Sequence, residues 1–487
     1  MRNMILVLLL ACVTASAQQV SLDNAIVMAQ QNSYDAQLAK LSFMSEYWTF
    51  RSFKADLLPS VSLSGTVGNF DHSLVSVRNY DSGQVQYVNN NSLTNQLTLS
   101  LDQKIAATGG TVSLQSYIYS LNQFTYDETT FNTQPLRISY TQPLRSFNSL
   151  KWNKKSAPLD YEIAQKKYIA DMQQITIRVT SLFFNVLAAQ SEYKQSLATV
   201  KDREMLYAMA SKRLQLGTTT KSDVLQLELS LLNARVAAKN NKLALDDCMY
   251  QLFSYLRVTD YEHAELVAPS YVPDMLLSVD DVLQKAITNS SHTLEQRQLM
   301  LQAERTLAEA KASRGPQFTL RGEVGFTKTA NNFAGAYRNL NDNEIVGLTL
   351  SLPIFDWGVS KGRVRMAQAQ LELAKTKNEQ SHLDYMQELR RKVLQFNTQP
   401  AQCRDALRAQ EISEERYDIT RKRFENGAVS VTDLNTAQQE METAKSQYIS
   451  LLKAFWTDYY TLQQYTLYDW INHSNIFVDF EKLIKSK

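Results

Sequence analysis

Apolar residues recur along this chain in two rhythms, and the switch between them marks out its elements. From about Lys151 onward, Val179, Val186, Tyr193, Val200, Tyr207 and Leu214 stand seven apart, with Leu182, Phe183 and Leu197 beside them. On the return, Leu229, Val236, Leu243 and Tyr250 repeat the step. A sustained heptad predicts long helices packed as a coiled coil. Elsewhere the period drops to two. Val61, Leu63, Gly65 and Val67 alternate with Ser62, Ser64 and Thr66, and Phe318, Leu320, Gly322, Val324 and Phe326 alternate with Thr319, Arg321, Glu323 and Thr327. That predicts strands with one apolar and one polar face. A half-buried sheet of a water-soluble domain has this pattern; so does a membrane strand whose Arg321 and Glu323 face a water-filled lumen.

The whole pattern occurs twice. SLDNAIVMAQQNS at Ser21–Ser33 matches SVDDVLQKAITNS at Ser278–Ser290, an offset of 257 that holds without a gap through the first strands at Pro59–Gly68 and Pro316–Gly325. Ser21 and Ser278 are placed to cap a helix, with Asp23 and Asp280 in its first turn. Each copy then reaches a second strand that ends in Pro143 or Pro353, now at an offset of 210. The 47 extra residues of the first copy read as an added hairpin at about 95–121, which either extends the sheet or decorates a loop.

The helical arms meet at RLQLGTTTKSD (Arg213–Asp223) and RFENGAVSVTD (Arg423–Asp433). In both, Gly217 or Gly427 ends one helix and Asp223 or Asp433 lies near the start of the next, where a carboxylate suits the helix dipole. Roughly 65 residues precede each tip, so the longer arm should measure about 100 Å. Pro400 should kink or interrupt the second one. The repeats therefore cover 18–257 and 278–470, joined by an irregular connector outside the helical core, 258–277, with a tail at 471–487.

The beginning of the chain changes the picture. One Arg, an apolar run Met4–Val13 and Ala15-Ser16-Ala17 predict a signal peptide over 1–17 and hence export; lipidation at Cys12 is the competing reading. No later stretch has the ~18–20 apolar residues of a spanning helix, so entry into a membrane would have to use strands. Four repeat-derived strands cannot close in lipid, where backbone groups need partners and the smallest barrels use about eight. Several copies would have to share one barrel, and three would supply twelve strands.

Other chemistry is absent. Lys+Arg 51 against Asp+Glu 49 gives a net charge of +2, with the signs interleaved, so no nucleic-acid partner is expected. Gly 14 and Pro 9 are few, which suits long helices. Cys248 and Cys403 imply no disulfide, and His72, His263, His292, His382 and His473 have no metal-ligand spacing. There is no HExxH, no G-x-S-x-G and no phosphate loop, so we expect neither an enzyme nor a cofactor or metal. The aromatic run Phe455, Trp456, Tyr459, Tyr460, Tyr465, Tyr468 and Trp470 suits either an interfacial belt or packing where helices meet strands.

The duplicated helix-strand-strand-helix unit, the strand-ending TQPL and SLPIFDWG motifs and the G-x5-D tips resemble the TolC-type outer membrane efflux proteins over nearly all of the mature sequence. The resemblance implies an α+β membrane protein: a homotrimer with a shared twelve-stranded barrel in outer-membrane lipid and a helical tunnel in the periplasm. It implies an exit duct for a tripartite efflux pump or type I secretion system, docked to a periplasmic adaptor and an inner-membrane transporter. Arg213, Gly217, Arg423 and Gly427 fall on the family's tip positions, where such an adaptor docks. Asp433 falls on the first acidic position of the periplasmic gate, with Asp223 its counterpart in the first repeat. The second acidic position is Thr436 here, so a gate ring would have one tier. The alternative is a periplasmic coiled-coil adaptor or scaffold without a pore.

Overall fold

Equal sequences start equal helices. Ser21 accepts the Asn24 N–H (3.3 Å) and Ser278 the Asp281 N–H (3.4 Å), each with its side-chain oxygen. A computed structural model describes residues 19–78, 83–261, 264–269, 271–426 and 428–485. The expected signal peptide with Cys12, and also His263 and Gly427, lie outside the described residues.

The first repeat runs Gln19–Val20 (β1), Leu22–Asn32 (α1), Tyr34–Asp56 (α2), Ser60–Arg78 (β2), Val85–Ile105 (β3), Gly110–Gln123 (β4), Glu128–Pro143 (β5), Ser149–Gln215 (α3) and Lys221–Leu256 (α4). After Glu265–Leu266 (β6), the second runs Val279–Asn289 (α5), His292–Ser313 (α6), Gln317–Ala330 (β7), Asn341–Ser351 (β8), Val359–Glu425 (α7) and Val431–Thr466 (α8). Tyr468–Asp469 (β9), Ser474–Asn475 (β10) and Phe480–Lys485 (α9) finish the chain. The arms match to the residue: α3 and α7 have 67 residues each, α4 and α8 have 36.

Two compact units result. One holds the residues up to Met44, Gln165–Thr293 and those from His382 onward; the other holds Ser45–Ala164 and Leu294–Ser381. In the first unit, the duplication reappears as two equivalent cores. Ala25 and Ala29 of α1 pack with Val179, Phe183 and Val186 of α3 and Leu252 of α4. Their counterparts Val282 and Ala286 of α5 pack with Leu389, Val393 and Phe396 of α7 and Leu462 of α8. Full burial of each such Leu or Phe contributes about 1.5–3 kcal/mol. The aromatic run belongs to this second core, with Phe455 and Tyr459 buried and Trp470 nearly so. It is helix packing within the helical unit, neither an interfacial belt nor a helix–strand junction.

Three expectations are corrected. Helix α7 runs unbroken through Pro400; buried Phe396 and Cys403 on either side, and Gln399 Nε2 donating to Asp458 (2.5 Å), outweigh the one backbone bond that Pro removes. The connector joins the core: β6 pairs parallel with β1, and Leu266 is buried in the first cluster. On α4 the seven-spaced row Leu229, Val236, Leu243 and Tyr250 is exposed; the row that packs within the chain is Val224, Leu231, Ala238 and Leu252. Both rows have heptad spacing, and only the second faces the helices of its own chain.

The second unit contains one antiparallel sheet, in the order β2-β3-β4-β5-β7-β8. The expected four strands are six, because the added hairpin lies inside the sheet as β3 and β4.

Candidate functional site

Two parts of the molecule carry the residues singled out in the sequence: the helix tips in the first unit and the sheet in the second.

At the first tip, Gly217 adopts φ +73°, a conformation that strains any residue with a Cβ. Its N–H bonds the Leu214 carbonyl (3.0 Å) and the Thr218 N–H bonds the Arg213 carbonyl (2.9 Å), the pairing that ends a helix on a left-handed residue. The second tip repeats the outer bond, Ala428 N–H to the Arg423 carbonyl at 2.9 Å. Arg213 and Arg423 thus hold their turns through the main chain. Each return helix opens with a reciprocal capping box. Thr220 Oγ1 accepts the Asp223 N–H (3.2 Å), while Asp223 Oδ2 accepts the Thr220 N–H (3.1 Å). Ser430 Oγ accepts the Asp433 N–H (3.2 Å), and Asp433 Oδ2 accepts the Ser430 N–H (3.0 Å). Thr436 spends its hydroxyl on the Thr432 carbonyl (3.0 Å).

These bonds hold both carboxyls below the usual carboxylate range. The Thr220 hydroxyl leads for Asp223 and the Ser430 hydroxyl for Asp433, where Arg423 adds attraction. A depressed folded pKa means the carboxylate's stabilising contribution is complete above about pH 4 and is lost as pH falls through the lower folded value. Ser430→Ala should remove about 1 kcal/mol from the start of α8. Amide exchange in that turn is then expected to quicken roughly five-fold, and unchanged exchange would deny the cap its role.

The two tips share a groove of about 480 Å3, lined by Arg203, Arg213 and Asp223 on one side and Ser430, Thr432 and Asn435 on the other. Beside it, Leu206 of α3 packs with Tyr417 of α7 and with Leu434 and Ala437 of α8. One contact here was not anticipated. Asp202, nearly buried on α3, accepts a hydrogen bond from the Tyr417 hydroxyl and lies 3.7 Å from Arg421 Nη2. Burial and the Asp202 carboxylate push the Tyr417 hydroxyl pKa up, so it stays a donor at any physiological pH. A sequence signal existed: Asp202 precedes buried Leu206 and Ala210 by four and eight residues, a carboxylate on an apolar helix face.

In the sheet, register separates the faces. Val61, Leu101, Leu114, Ile138 and Val324 are cross-strand partners in one continuous row over five strands, and every one is exposed. The neighbouring row on the other face reads Ser60, Asp102, Ser113, Ser139 and Glu323. Glu323 is only 4% exposed, flanked by Arg321 (3.3 Å) and Arg137 (3.5 Å). The structure thus brings Arg321 and Glu323 together on the polar face and adds Arg137, which also donates to Gln115. From β3 to β7 burial is inverted relative to a water-soluble sheet: Leu101, Leu114, Ile138 and Val324 are exposed, whereas Asp102, Ser113 and Ser139 are half-buried and Glu323 is buried.

The sequence profile described as outer membrane efflux protein matches residues 105–256 and 282–466, more than two thirds of the chain. The chain belongs to the outer membrane efflux protein family. It is 24% identical over 308 residues to outer membrane protein TolC of Escherichia coli, spanning 58% of this chain and 60% of TolC. It is 22% identical to nodulation protein T of Rhizobium leguminosarum, over 72% of each chain. Among solved structures it resembles the Campylobacter jejuni CmeC outer membrane channel at a TM-score of 0.66 and 16% identity, covering 95% of this chain and 88% of that one. It also resembles the Vibrio cholerae outer membrane protein VceC at 0.62 and 15%, covering 92% and 95%. These likenesses fix the α+β fold of an outer membrane efflux channel of the TolC type. No helix among the described residues is long and apolar enough to cross a membrane.

Proposed function

We propose that three copies of this chain form the exit duct of a tripartite efflux pump or type I secretion system, passively conducting substrates from the periplasm to the exterior. The supporting observation is the sheet with its apolar row exposed and its polar row within, ending in two unpaired edges, β2 and β8. Lipid satisfies the first feature, and identical copies satisfy the second. Copies also account for the exposed heptad row of α4, which nothing among the described residues covers. A periplasmic scaffold would use the long arms but leaves that sheet without a purpose.

In this reading the tips form the periplasmic gate and the docking face for an adaptor, which connects to an inner-membrane transporter. Arg213, Gly217 and Arg423 shape the docking face, and Asp433 supplies a single acidic tier. Three such carboxylates near one axis would attract cations. Extraction tests the whole: the protein is expected to require detergent and to run as a heat-modifiable oligomer, whereas release by salt or carbonate points to the scaffold. In planar bilayers Asp433→Ala is expected to leak current where the parent is nearly closed; equal conductance would remove Asp433 from the gate.

A further inference from the structure

The duplication accounts for four strands per chain, and the sheet holds six. The two surplus strands do not hang from an edge. β3 and β4 lie between β2 and β5, each hydrogen-bonded on both sides. β3 pairs with β2 from Ser60↔Asp102 up to Arg78↔Val85, and β4 pairs with β5 from Thr111↔Thr141 up to Gln123↔Glu128. Their side chains obey the faces that β2, β5 and β7 share. Leu101 and Leu114 complete the outward row, and Asp102 and Ser113 the inward one, where the Ser113 hydroxyl donates to the Asp102 carboxylate.

A separate set of bonds fixes the turn that joins them. Asn148 Nδ2 donates to the carbonyls of Ala106 (3.0 Å) and Ala107 (3.4 Å), while its Oδ1 accepts the Lys151 N–H (3.0 Å) in the first turn of α3. Gln142 Nε2 donates to the Thr108 carbonyl (3.0 Å), and a Cβ on Gly110 would lie 2.4 Å from Gln142 Oε1. On the other side Gln103 Nε2 donates to the Leu57 carbonyl (3.0 Å), and Lys104 pairs with Asp56 (2.6 Å) at the end of α2. The turn is stitched to both strand–helix junctions of its repeat. A loop that merely decorated the outer surface would need none of these contacts.

We infer that the hairpin is a permanent part of the wall and that the shared barrel has eighteen strands. The inference rests on the reading that three copies share one barrel. Parity supports closure. All five strand pairs are antiparallel, so β2 and β8 run in opposite directions, and the β8 edge of one copy meets the β2 edge of the next in the antiparallel sense a closed barrel needs. Diameter grows about linearly with strand number, so this wall is roughly half as wide again as one of twelve strands and falls among barrels that keep an aqueous channel. Sieving is then left to the helix tips, and the outer mouth passes any hydrated cargo the tips admit.

The test is a count. Sections across the barrel in a cryo-electron microscopy map of the detergent-extracted, full-length trimer are expected to show eighteen strands. Twelve strands in a trimer, with residues 85–123 outside the wall, overturn this inference and leave the shared-barrel reading intact; a monomer, or a trimer without a barrel, overturns both. Disulfide trapping in membranes makes the same distinction on a Cys248→Ser, Cys403→Ala background. The pair Ser113→Cys with Ser139→Cys is expected to cross-link, because β4 and β5 are neighbours. The pair Ser62→Cys with Ser139→Cys is expected to stay open, because two strands intervene. The reverse outcome places β2 against β5 and overturns the inference.

Discussion

Val61→Arg is expected to lower the yield of the heat-modifiable oligomer, while Ser62→Arg, one residue further on, is expected to keep it. Val61 is 67% exposed in the single chain and begins the apolar row that continues through Leu101, Leu114, Ile138 and Val324. Val61 is the second residue of β2, beside the strand–helix junction; an Arg turned toward lipid at such an edge costs at most about 1 kcal/mol, and a trimer carries that cost three times. Ser62 points the other way, its hydroxyl 2.9 Å from that of Ser100. There a guanidinium finds water and the polar company of Asp102 and Gln115. The measurement is oligomer yield in washed membranes with and without heating in detergent. Equal loss in both variants would sink the assignment of faces.

Asp202→Ala is expected to open the tips. The substitution removes the acceptor of the Tyr417 hydroxyl and the carboxylate beside Arg421, leaving buried polar groups that cost about 1–3 kcal/mol. In the proposed gate reading, where this contact belongs to the closed arrangement, that cost moves the closed–open balance by about five- to 150-fold, at roughly ten-fold per 1.4 kcal/mol. Single-channel conductance in planar bilayers should rise accordingly, and Tyr417→Phe, which loses the donor alone, should produce a smaller rise. Unaltered closure in Asp202→Ala would mean that the contact stiffens the bundle without governing passage.

Much of this was legible in the chain itself. Capping serines, period-two strands, a repeated Gly-x5-Asp tip and heptad arms are local signals, and local signals survive without tertiary information. The matching arms of 67 and 36 residues follow from them. What escaped was everything that depends on which face meets which partner. Leu229 and Leu231 both belong to seven-spaced rows, and nothing in spacing says that Leu231 meets its own chain while Leu229 stays bare. The hairpin at β3 and β4 alternated clearly, but its place in the strand order rests on long-range pairing. An interruption at Pro400 was expected because its cost was weighed without the buried residues around it. Asp202 offered only the faint signal of a carboxylate on an apolar helix face, and its role appeared only when Tyr417, far away in sequence, arrived beside it.

The bare heptad row of α4 also bears on biogenesis. A chain not yet assembled carries Leu229, Val236, Leu243 and Tyr250 uncovered, together with the apolar side of its sheet and two strand edges. Such a chain is sticky in water and prone to pair with whatever edge it meets first. Its solitary lifetime must therefore be short or guarded, and overproduction should yield aggregates before it yields more assembled protein.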